Sequence, residues 1–132
     1  ADSVKIAGSQ ALMATRVMYS MPPDHAAAAV RIILEDEALT ANWRMELEEM
    51  RLRMLNLRKG FADALRRHSN SDRFDFIAEH RGMFSRLGIT EAQVDRLREE
   101  FGIYMVGDSR FNVAGLKEDR LEDLAKAVVS VL

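Results

Sequence analysis

A stripe of apolar residues between positions 39 and 65 is the sequence feature that most restricts how this chain folds. Its members recur every three or four residues, as on one face of an α-helix. They are Leu39, Trp43, Leu47, Met50, Met54, Leu57, Phe61 and Leu65. The spacing predicts one helix over residues 37–67, about 45 Å long at roughly 1.5 Å per residue. Such a helix packs along one side and can also connect two domains.

Two shorter helices are predicted before this stripe. Apolar residues recur at helical spacing over residues 2–18, and Pro22 and Pro23 end that helix because a proline disfavours the α conformation of the residue before it. A second helix follows over residues 24–34 and contains the run AAAAVRIIL, which offers very little polar surface. This second helix must therefore be buried on most sides or lie against a surface that is not present here.

A small lobe is predicted after the polar run at residues 68–72, which is the best boundary in the chain. A short element is expected at 73–79. A helix over residues 90–101 follows, because Thr90 and Gln93 stand in capping-box positions and Gly102 ends the helical pattern. The lobe therefore contains at least one well-delimited helix.

The rest of the lobe is predicted to contain short strands. Residues 82–87 favour a strand, and the turn residues at 107–110 indicate a hairpin between strands at 103–106 and 111–114. An amphipathic helix over 116–132 closes the chain. The predicted fold class is helix-rich α+β, with a long connecting helix and a small C-terminal α/β lobe that contains a short sheet.

Composition and charge exclude several classes of function. The 132 residues carry a formal net charge of −2, which gives no general attraction to nucleic acid or to anionic membranes. The absence of cysteine excludes disulfides and cysteine nucleophiles, and the spacing of His25, His68 and His80 indicates no metal site. No apolar run is long enough to span a bilayer and the first ten residues lack the pattern of a signal peptide, so we expect a cytoplasmic protein without nucleic-acid or membrane partners.

The basic residues of the long helix are expected to lie on a solvated face. Four acidic side chains are interleaved with seven basic ones between residues 41 and 67, so the local balance is only +3. A helix that binds nucleic acid needs a basic stripe without interleaved acids, which leaves a nucleic-acid adaptor as a weaker alternative. The basic residues are Arg44, Arg51, Arg53, Arg58, Lys59, Arg66 and Arg67.

Two other arginines lie next to breaks between elements. Arg16 stands just before the YSMPP segment, and Arg110 follows the small polar turn formed by Asp108 and Ser109. In such a position a guanidinium can reach a planar carboxylate in a cleft. From spacing alone, an ordinary salt bridge stays open as the alternative for each arginine.

Four motifs resemble those of one enzyme family. They occur in the same order and at similar spacing as in the C-terminal part of class I, pyridoxal-phosphate-dependent aspartate and aromatic amino acid aminotransferases. The resemblance covers essentially the whole chain. The motifs are RVMYSMPPDH at 16–25, RGMFS at 81–85, VDRLREEFGIY at 94–104 and SRFNVAGL at 109–116.

The resemblance implies roles for three residues as binding groups for the substrate. Arg110 matches the arginine that holds the substrate α-carboxylate through two parallel hydrogen bonds. Arg16 matches the arginine that reaches across a homodimer to a distal carboxylate of the neighbouring subunit's substrate, and Phe84 matches an aromatic residue on the substrate side. The expected partners are an amino acid, a 2-oxo acid and a second subunit.

The sequence departs from the family pattern at three of these positions. Met18 and Met21 stand where two asparagines are usual, and Ser109 stands where a glycine usually precedes the arginine. Two polar groups thus become adaptable apolar ones, which favours an aromatic or broadly specific enzyme over a strict dicarboxylate enzyme.

The cofactor-binding lysine of the family has no counterpart in this chain. Lys5, Lys59, Lys117 and Lys126 all lie in helical patterns, outside any SxxK-like loop. The resemblance therefore implies a fragment that is inactive alone, with no catalytic or cofactor-binding residue of its own, and with pyridoxal 5'-phosphate bound in the longer parent. It assigns residues 1–35 to the tail of the large cofactor domain, 36–67 to the connecting helix and 68–132 to the small domain. The alternative is a helical module that dimerises through the 39–65 stripe without catalytic activity.

Overall fold

Six α-helices and one two-stranded sheet form the part of the chain that the computed structural model describes, residues 2–132. This confirms that the chain is rich in helix and carries a small sheet. The elements in chain order are α1 (Asp2–Tyr19), α2 (His25–Glu35), α3 (Glu37–Ser69), α4 (Phe76–Glu79), β1 (Phe84–Arg86), α5 (Glu91–Phe101), β2 (Arg110–Asn112) and α6 (Leu121–Ser130), with short 3-10 helices at Val113–Gly115 and Glu118–Arg120.

The chain divides into two units, one that ends at Met45 and one from Glu46 to Leu132. Helices α1 and α2 belong to the first unit, whereas the sheet and α4 to α6 belong to the second. Helix α3 contributes residues to both units. The domain boundaries expected after residues 35 and 67 stay a prediction.

The helices of the first unit have no buried side chain. None of the residues of α1 and α2 is buried, and in the run AAAAVRIIL only Ala28 and Ile33 are half-buried, so this unit does not supply the burial that the composition of α2 requires. Helix α2 was expected either to be buried on most sides or to lie against a surface that is not present, and the structure does not show the first of these. The exposed apolar side chains are Val4, Ile6, Leu12, Met13, Val17, Met18, Tyr19, Met21, Val30, Ile32 and Leu34.

Helix α3 confirms the long helix predicted from the apolar stripe. It begins after Asp36, whose side-chain Oδ1 accepts the N–H of Leu39 at 2.9 Å and so caps the helix. The stripe is buried only from Leu57 onwards, where Leu57, Phe61 and Leu65 enter the core of the second unit. The other buried core residues include Phe74, Ile77, Leu97, Val113, Ala125 and Val128.

Helix α5 has the ends that the sequence predicts. The side chain of Thr90 accepts the N–H of Gln93, and the side chain of Gln93 accepts the N–H of Thr90 at 2.9 Å, which completes the capping box. Gly102 ends the helix in the left-handed conformation, with φ of 64°. The predicted closing helix is shorter than expected, because the backbone is extended at Leu116 and Lys117 and α6 begins only at Leu121.

The predicted hairpin between residues 103–106 and 111–114 is wrong. Strand β2 pairs antiparallel with β1, which precedes α5 in the chain, in the register Phe84↔Asn112, Ser85↔Phe111 and Arg86↔Arg110. Residues 103–106 form no strand, and a 3-10 helix begins at Val113. The physical reason is that β1 supplies the partner edge for β2, with the N–H of Leu87 donating to the carbonyl of Ser109 at 3.0 Å.

Within residues 2–132, no helix combines the length and the apolar character that crossing a bilayer would require.

Candidate functional site

The two-stranded sheet presents Arg110 and Phe84 next to each other. Arg110 lies opposite Arg86 in the register, so Phe84 is its diagonal neighbour on the same face of the sheet. The guanidinium carbon of Arg110 lies 5.9 Å from the centroid of the Phe84 ring, which is a cation–π contact. On the other face, Phe111 packs edge-on against Phe61 from α3. The structure thus brings together two of the three residues that the sequence singled out.

A cavity of about 680 Å³ lies against this pair. Its walls are mostly apolar, and Arg110 is the only charged residue that lines it among the residues that the structure describes. None of the acidic side chains in residues 2–132 pairs with the Arg110 guanidinium. The other lining residues are Phe61, Phe84, Leu87, Ile103, Tyr104, Met105, Val106, Phe111, Asn112, Gly115, Leu116 and Leu124.

This geometry suits a ligand that has both an anionic and an apolar part. A guanidinium presents parallel N–H donors that match the two oxygens of a carboxylate. The surrounding apolar walls lower the local dielectric, which strengthens the attraction between a bound anion and Arg110. The site can therefore orient a carboxylic acid whose remainder packs against the aromatic and aliphatic walls.

The turn before Arg110 is fixed by Ser109 and Asp108. Ser109 is fully buried and has φ of 63°, a left-handed conformation that favours glycine, the residue usual there in the resembled family. Its Oγ accepts the N–H of Gly88 at 3.0 Å, and the carboxylate of Asp108 accepts the N–H of Arg110 at 3.0 Å. The serine therefore adopts the backbone of a glycine and adds a hydrogen bond to the residues that follow β1.

Arg58 is a residue of the site's framework that the sequence analysis missed. It is only 1% exposed, and the expectation that it lies on a solvated helix face is wrong. Its guanidinium donates to the carbonyls of Gly82 at 2.7 Å and Phe84 at 3.0 Å, and to that of Ile77 at 3.3 Å. Burial, and secondly the charge of Arg81, lowers the pKa of Arg58 below its ordinary value. Position 58 lies on the apolar stripe, since Met54 precedes it by four residues and Phe61 follows it by three, and this pattern could have revealed its burial.

Arg16 belongs to the other unit. It lies in the last turn of α1, where its backbone carbonyl accepts the N–H of Ser20 at 3.0 Å. Its side chain is exposed and forms no ion pair with residues 2–132. Its expected partner, a carboxylate on a ligand of a neighbouring subunit, stays a prediction.

The lysines of this chain do not fit the covalent attachment of pyridoxal phosphate at the cavity. None of Lys5, Lys59, Lys117 and Lys126 lines it; Lys59 and Lys117 lie in two other surface grooves. Nor does any group of three His, Asp or Glu side chains in the described part of the chain have the arrangement of a metal site. Among the residues that line the cavity, Arg110 is thus the one that can pair with an anion.

Sequence comparison places the chain among known enzymes. The sequence model of the family described as "Aminotransferase class I and II" matches residues 3–128. The chain belongs to this family. The resemblance stated from the four motifs is therefore confirmed.

Several aminotransferases are similar to this chain. It is 55% identical over 116 residues to an aromatic-amino-acid aminotransferase of Paracoccus denitrificans, covering 88% of this chain and 29% of that protein. An aspartate aminotransferase of Salmonella typhi is 45% identical over 132 residues, covering 100% of this chain and 33% of that enzyme. The chain thus spans about a third of the length of these relatives.

Solved aminotransferase structures share the fold. One is an aromatic amino acid aminotransferase with 3-indolebutyric acid, which superimposes with a TM-score of 0.90 at 50% identity and covers 99% of this chain and 33% of that one. Another is an aromatic-amino-acid aminotransferase of Burkholderia pseudomallei covalently bound to pyridoxal phosphate, with a TM-score of 0.88 at 44% identity, covering 99% of this chain and 33% of that one. At these identities, the likeness agrees with membership of the aminotransferase family.

Proposed function

We propose that this chain is the C-terminal part of an aminotransferase and supplies recognition of the substrate carboxylate. The reaction moves an amino group between an amino acid and a 2-oxo acid. The observation that carries this proposal is the position of Arg110, the only charged residue lining the cavity in residues 2–132, with its guanidinium against the ring of Phe84. Both substrates have a carboxylate next to the reacting carbon, so one guanidinium can orient both of them.

In this proposal Arg110 and Phe84 bind different parts of the substrate. Arg110 holds the two carboxylate oxygens and thereby fixes the direction of the α-carbon. Phe84 limits the rotation of the guanidinium and covers the apolar part of the substrate. Tyr104 and Val106, which also line the cavity, leave room for an aromatic or aliphatic side chain.

The substrate class proposed is aromatic amino acids together with aspartate or glutamate. The apolar walls and the methionines at positions 18 and 21 favour an aromatic substrate, because an apolar wall does not pair with a second carboxylate. The structurally similar enzyme with 3-indolebutyric acid holds a compound that likewise joins an aromatic ring to a carboxylate. Recognition of a distal carboxylate is assigned to Arg16 of the neighbouring subunit in a homodimer.

The chain alone is expected to show no transaminase activity, because no lysine among residues 2–132 lines the cavity. Pyridoxal phosphate supplies the electron sink of this reaction when it is bound, and we assign its attachment to residues outside these 132. Borohydride reduction in the presence of pyridoxal phosphate, followed by peptide mass analysis, should show only partial, scattered labelling of Lys5, Lys59, Lys117 and Lys126. Stoichiometric labelling of one lysine together with activity would contradict this assignment.

A chimeric enzyme tests the proposed function directly. The 132 residues replace the matching third of the Salmonella typhi aspartate aminotransferase, whose similarity extends over the whole chain. If the proposal is right, the chimera transaminates, and its activity on every substrate depends on Arg110. An Arg98→Lys variant serves as the control, because Arg98 pairs with Asp95 on the exposed face of α5 and does not line the cavity.

One observation favours the alternative, a helical interaction module that dimerises through the 39–65 stripe: Leu39, Trp43, Leu47 and Met50 of this stripe are exposed. The apolar side chains of α1 and α2 are exposed, and exposed apolar patches of more than a few hundred Å² are rare on soluble monomers. The chain is therefore expected to self-associate or to bind a hydrophobic dye, which sedimentation velocity and dye fluorescence measure. Replacing Ile6 and Val17 by serine should weaken the association, whereas replacing Lys5 and Gln10 by serine should not. A monomer at high concentration without dye binding would contradict the expectation.

The two functions differ in what they predict for the chimera. A module without catalytic activity would assemble to the same extent with and without amino acid, and the chimera that contains it would not transaminate. The proposed function requires that the Arg110 variant lose activity while assembly is unchanged. The chimera therefore separates the two.

A further inference from the structure

Strand β1 is held along both of its edges. Along one edge it pairs with β2, and this pairing extends beyond the strand because the carbonyl of Met83 accepts the N–H of Val113 at 2.8 Å. Backbone carbonyls alternate in direction along an extended segment. The carbonyls of Gly82 and Phe84 therefore point away from β2, and both of them accept hydrogen bonds from Arg58.

Arg58 thus provides the hydrogen-bond donors that a third strand would otherwise provide to the outer edge of β1. The outer edge of a two-stranded sheet leaves carbonyls without a partner, and these are costly when they are buried away from water. One Nη atom of Arg58 donates to both carbonyls of this edge, at 2.7 Å and 3.0 Å. Its other Nη atom donates to Ile77 at 3.3 Å, which ties the edge to the start of α4.

The backbone conformation of Gly82, in the loop before β1, accompanies its hydrogen bond with Arg58. Gly82 has φ of 92°, which side-chain-bearing residues rarely adopt, while no described atom beyond its two chain neighbours lies within 4 Å of the position that a Cβ would take. The glycine is therefore required by the backbone conformation and not by lack of space. That conformation accompanies a Gly82 carbonyl directed at the buried guanidinium.

The charge of Arg58 has no acidic counterpart. Among residues 2–132, no carboxylate forms an ion pair with its guanidinium, although the side chain is only 1% exposed. A buried cation without a carboxylate is stabilised only as long as backbone carbonyls surround it. The interaction therefore constrains the carbonyl of Phe84 itself, which is the residue whose ring lies beside Arg110.

From this arrangement we infer that Arg58 is a positioning residue for substrate binding: it fixes the backbone of β1 so that the Phe84 ring lies against the Arg110 guanidinium. This inference rests on the proposed function, in which Arg110 binds the substrate carboxylate. Arg58 acts through Phe84 and contributes no atom to the lining of the cavity.

The test compares Arg58→Met and Arg58→Lys with wild type in the 132-residue chain. Two probes, hydrocinnamate and its neutral amide hydrocinnamide, are titrated while NMR follows the Nε–Hε signal of Arg110. Phe84→Leu defines the signal of Arg110 without the ring. Arg51→Met is the matched control, because Arg51 lies on the same helix and pairs only with Glu48 within α3.

We expect Arg58→Met to reduce the preference for hydrocinnamate over hydrocinnamide by about tenfold, the lower end of the scale seen when the hydrogen-bonded support of a metal ligand is removed. The Arg110 signal should move towards its position in Phe84→Leu. Arg58→Lys keeps the charge but not the planar fork, so we expect a loss of roughly threefold. Arg51→Met should match wild type in both measurements.

A purely structural role would give a different result. Arg58→Met would then unfold at lower denaturant concentration, but its folded form would keep the wild-type preference and the wild-type Arg110 signal, and the inference would be overturned. If Arg58→Met does not fold, Arg58→Lys decides in the same way: a reduced preference supports the inference and an unchanged one overturns it. If wild type itself shows no preference for the carboxylate, the proposed function fails, and the Arg110 signal alone then decides whether Arg58 positions Phe84.

Discussion

Replacing Arg110 by lysine in the chimeric enzyme is expected to lower kcat/KM for aspartate and for phenylalanine alike, by about 2–5 kcal/mol of transition-state stabilisation. A lysine keeps the positive charge but offers a point charge in place of two parallel donors, so it does not fix the direction of the α-carbon. The loss should be common to both substrates because both have an α-carboxylate. Steady-state kinetics with the two amino acids measures it.

The control for this experiment is Arg98→Lys, an exchange of the same kind at an exposed position on α5. It should leave kcat/KM for both substrates within about twofold of the parent chimera, since an exposed ion pair contributes roughly 0–1 kcal/mol. If Arg110→Lys behaves like this control, Arg110 does not bind the carboxylate. It would then be an ordinary strand-end residue of the sheet.

Replacing Arg16 by leucine is expected to affect only the dicarboxylate substrate. In the proposed homodimer Arg16 binds the distal carboxylate of a substrate in the neighbouring subunit, and phenylalanine has no such group. We expect kcat/KM for aspartate to fall by about 2 kcal/mol or more, roughly thirtyfold, whereas that for phenylalanine stays within about twofold. The exposed guanidinium of Arg16 forms no ion pair in the described residues that the substitution would break.

Arg110→Lys is expected to affect both substrates and Arg16→Leu only aspartate, so the two variants distinguish binding of the α-carboxylate from binding of the distal carboxylate. Lys5→Leu, which removes a cation elsewhere on α1, is the control for a general change of charge on this helix. Equal losses for aspartate and phenylalanine in Arg16→Leu would show that Arg16 supports the structure and does not discriminate between substrates. If Lys5→Leu lowers kcat/KM for aspartate as much as Arg16→Leu does, the change in net charge alone explains the loss.

Local sequence signals predicted α3 and α5 well. The apolar stripe set the extent of α3, and Thr90, Gln93 and Gly102 set the ends of α5, because each of these patterns acts within one or two helical turns. All the residues that form such a pattern are close together in the sequence, so the pattern can be recognised without knowledge of the tertiary structure. The burial of only the second half of the stripe, from Leu57, depends on which other elements pack there, and the spacing does not contain that information.

The pairing of the strands could not be predicted from local sequence signals. A turn is present at Gly107 and Asp108, within the predicted turn region, but it connects β2 to residues 103–106, which make no strand. The true partner, β1, lies on the other side of α5 in the sequence. Hydrophobic alternation identifies a strand and leaves its partner undetermined, so a local pairing was preferred to the non-local one.

The candidate site was only partly predictable. The family resemblance pointed to Arg110 and Phe84, but their contact follows from the β1–β2 register, which the predicted hairpin excluded. Arg58 was missed because it was counted with its charged neighbours and not with the apolar stripe that it interrupts. A single arginine at a core position of a helix is thus worth testing as a buried donor to backbone carbonyls.

The order of the two strands in the chain also bears on how the protein folds. Between β1 and β2 lie the whole of α5 and the turn at Ser109, so the sheet forms only when a loop of more than twenty residues closes. Closing such a loop costs conformational entropy before the strand contacts compensate for it, whereas α3 and α5 can form from local contacts. The sheet that carries Arg110 and Phe84 is therefore expected to assemble late in folding, after the helices that support it, so that the contact between these two residues forms only in the last steps.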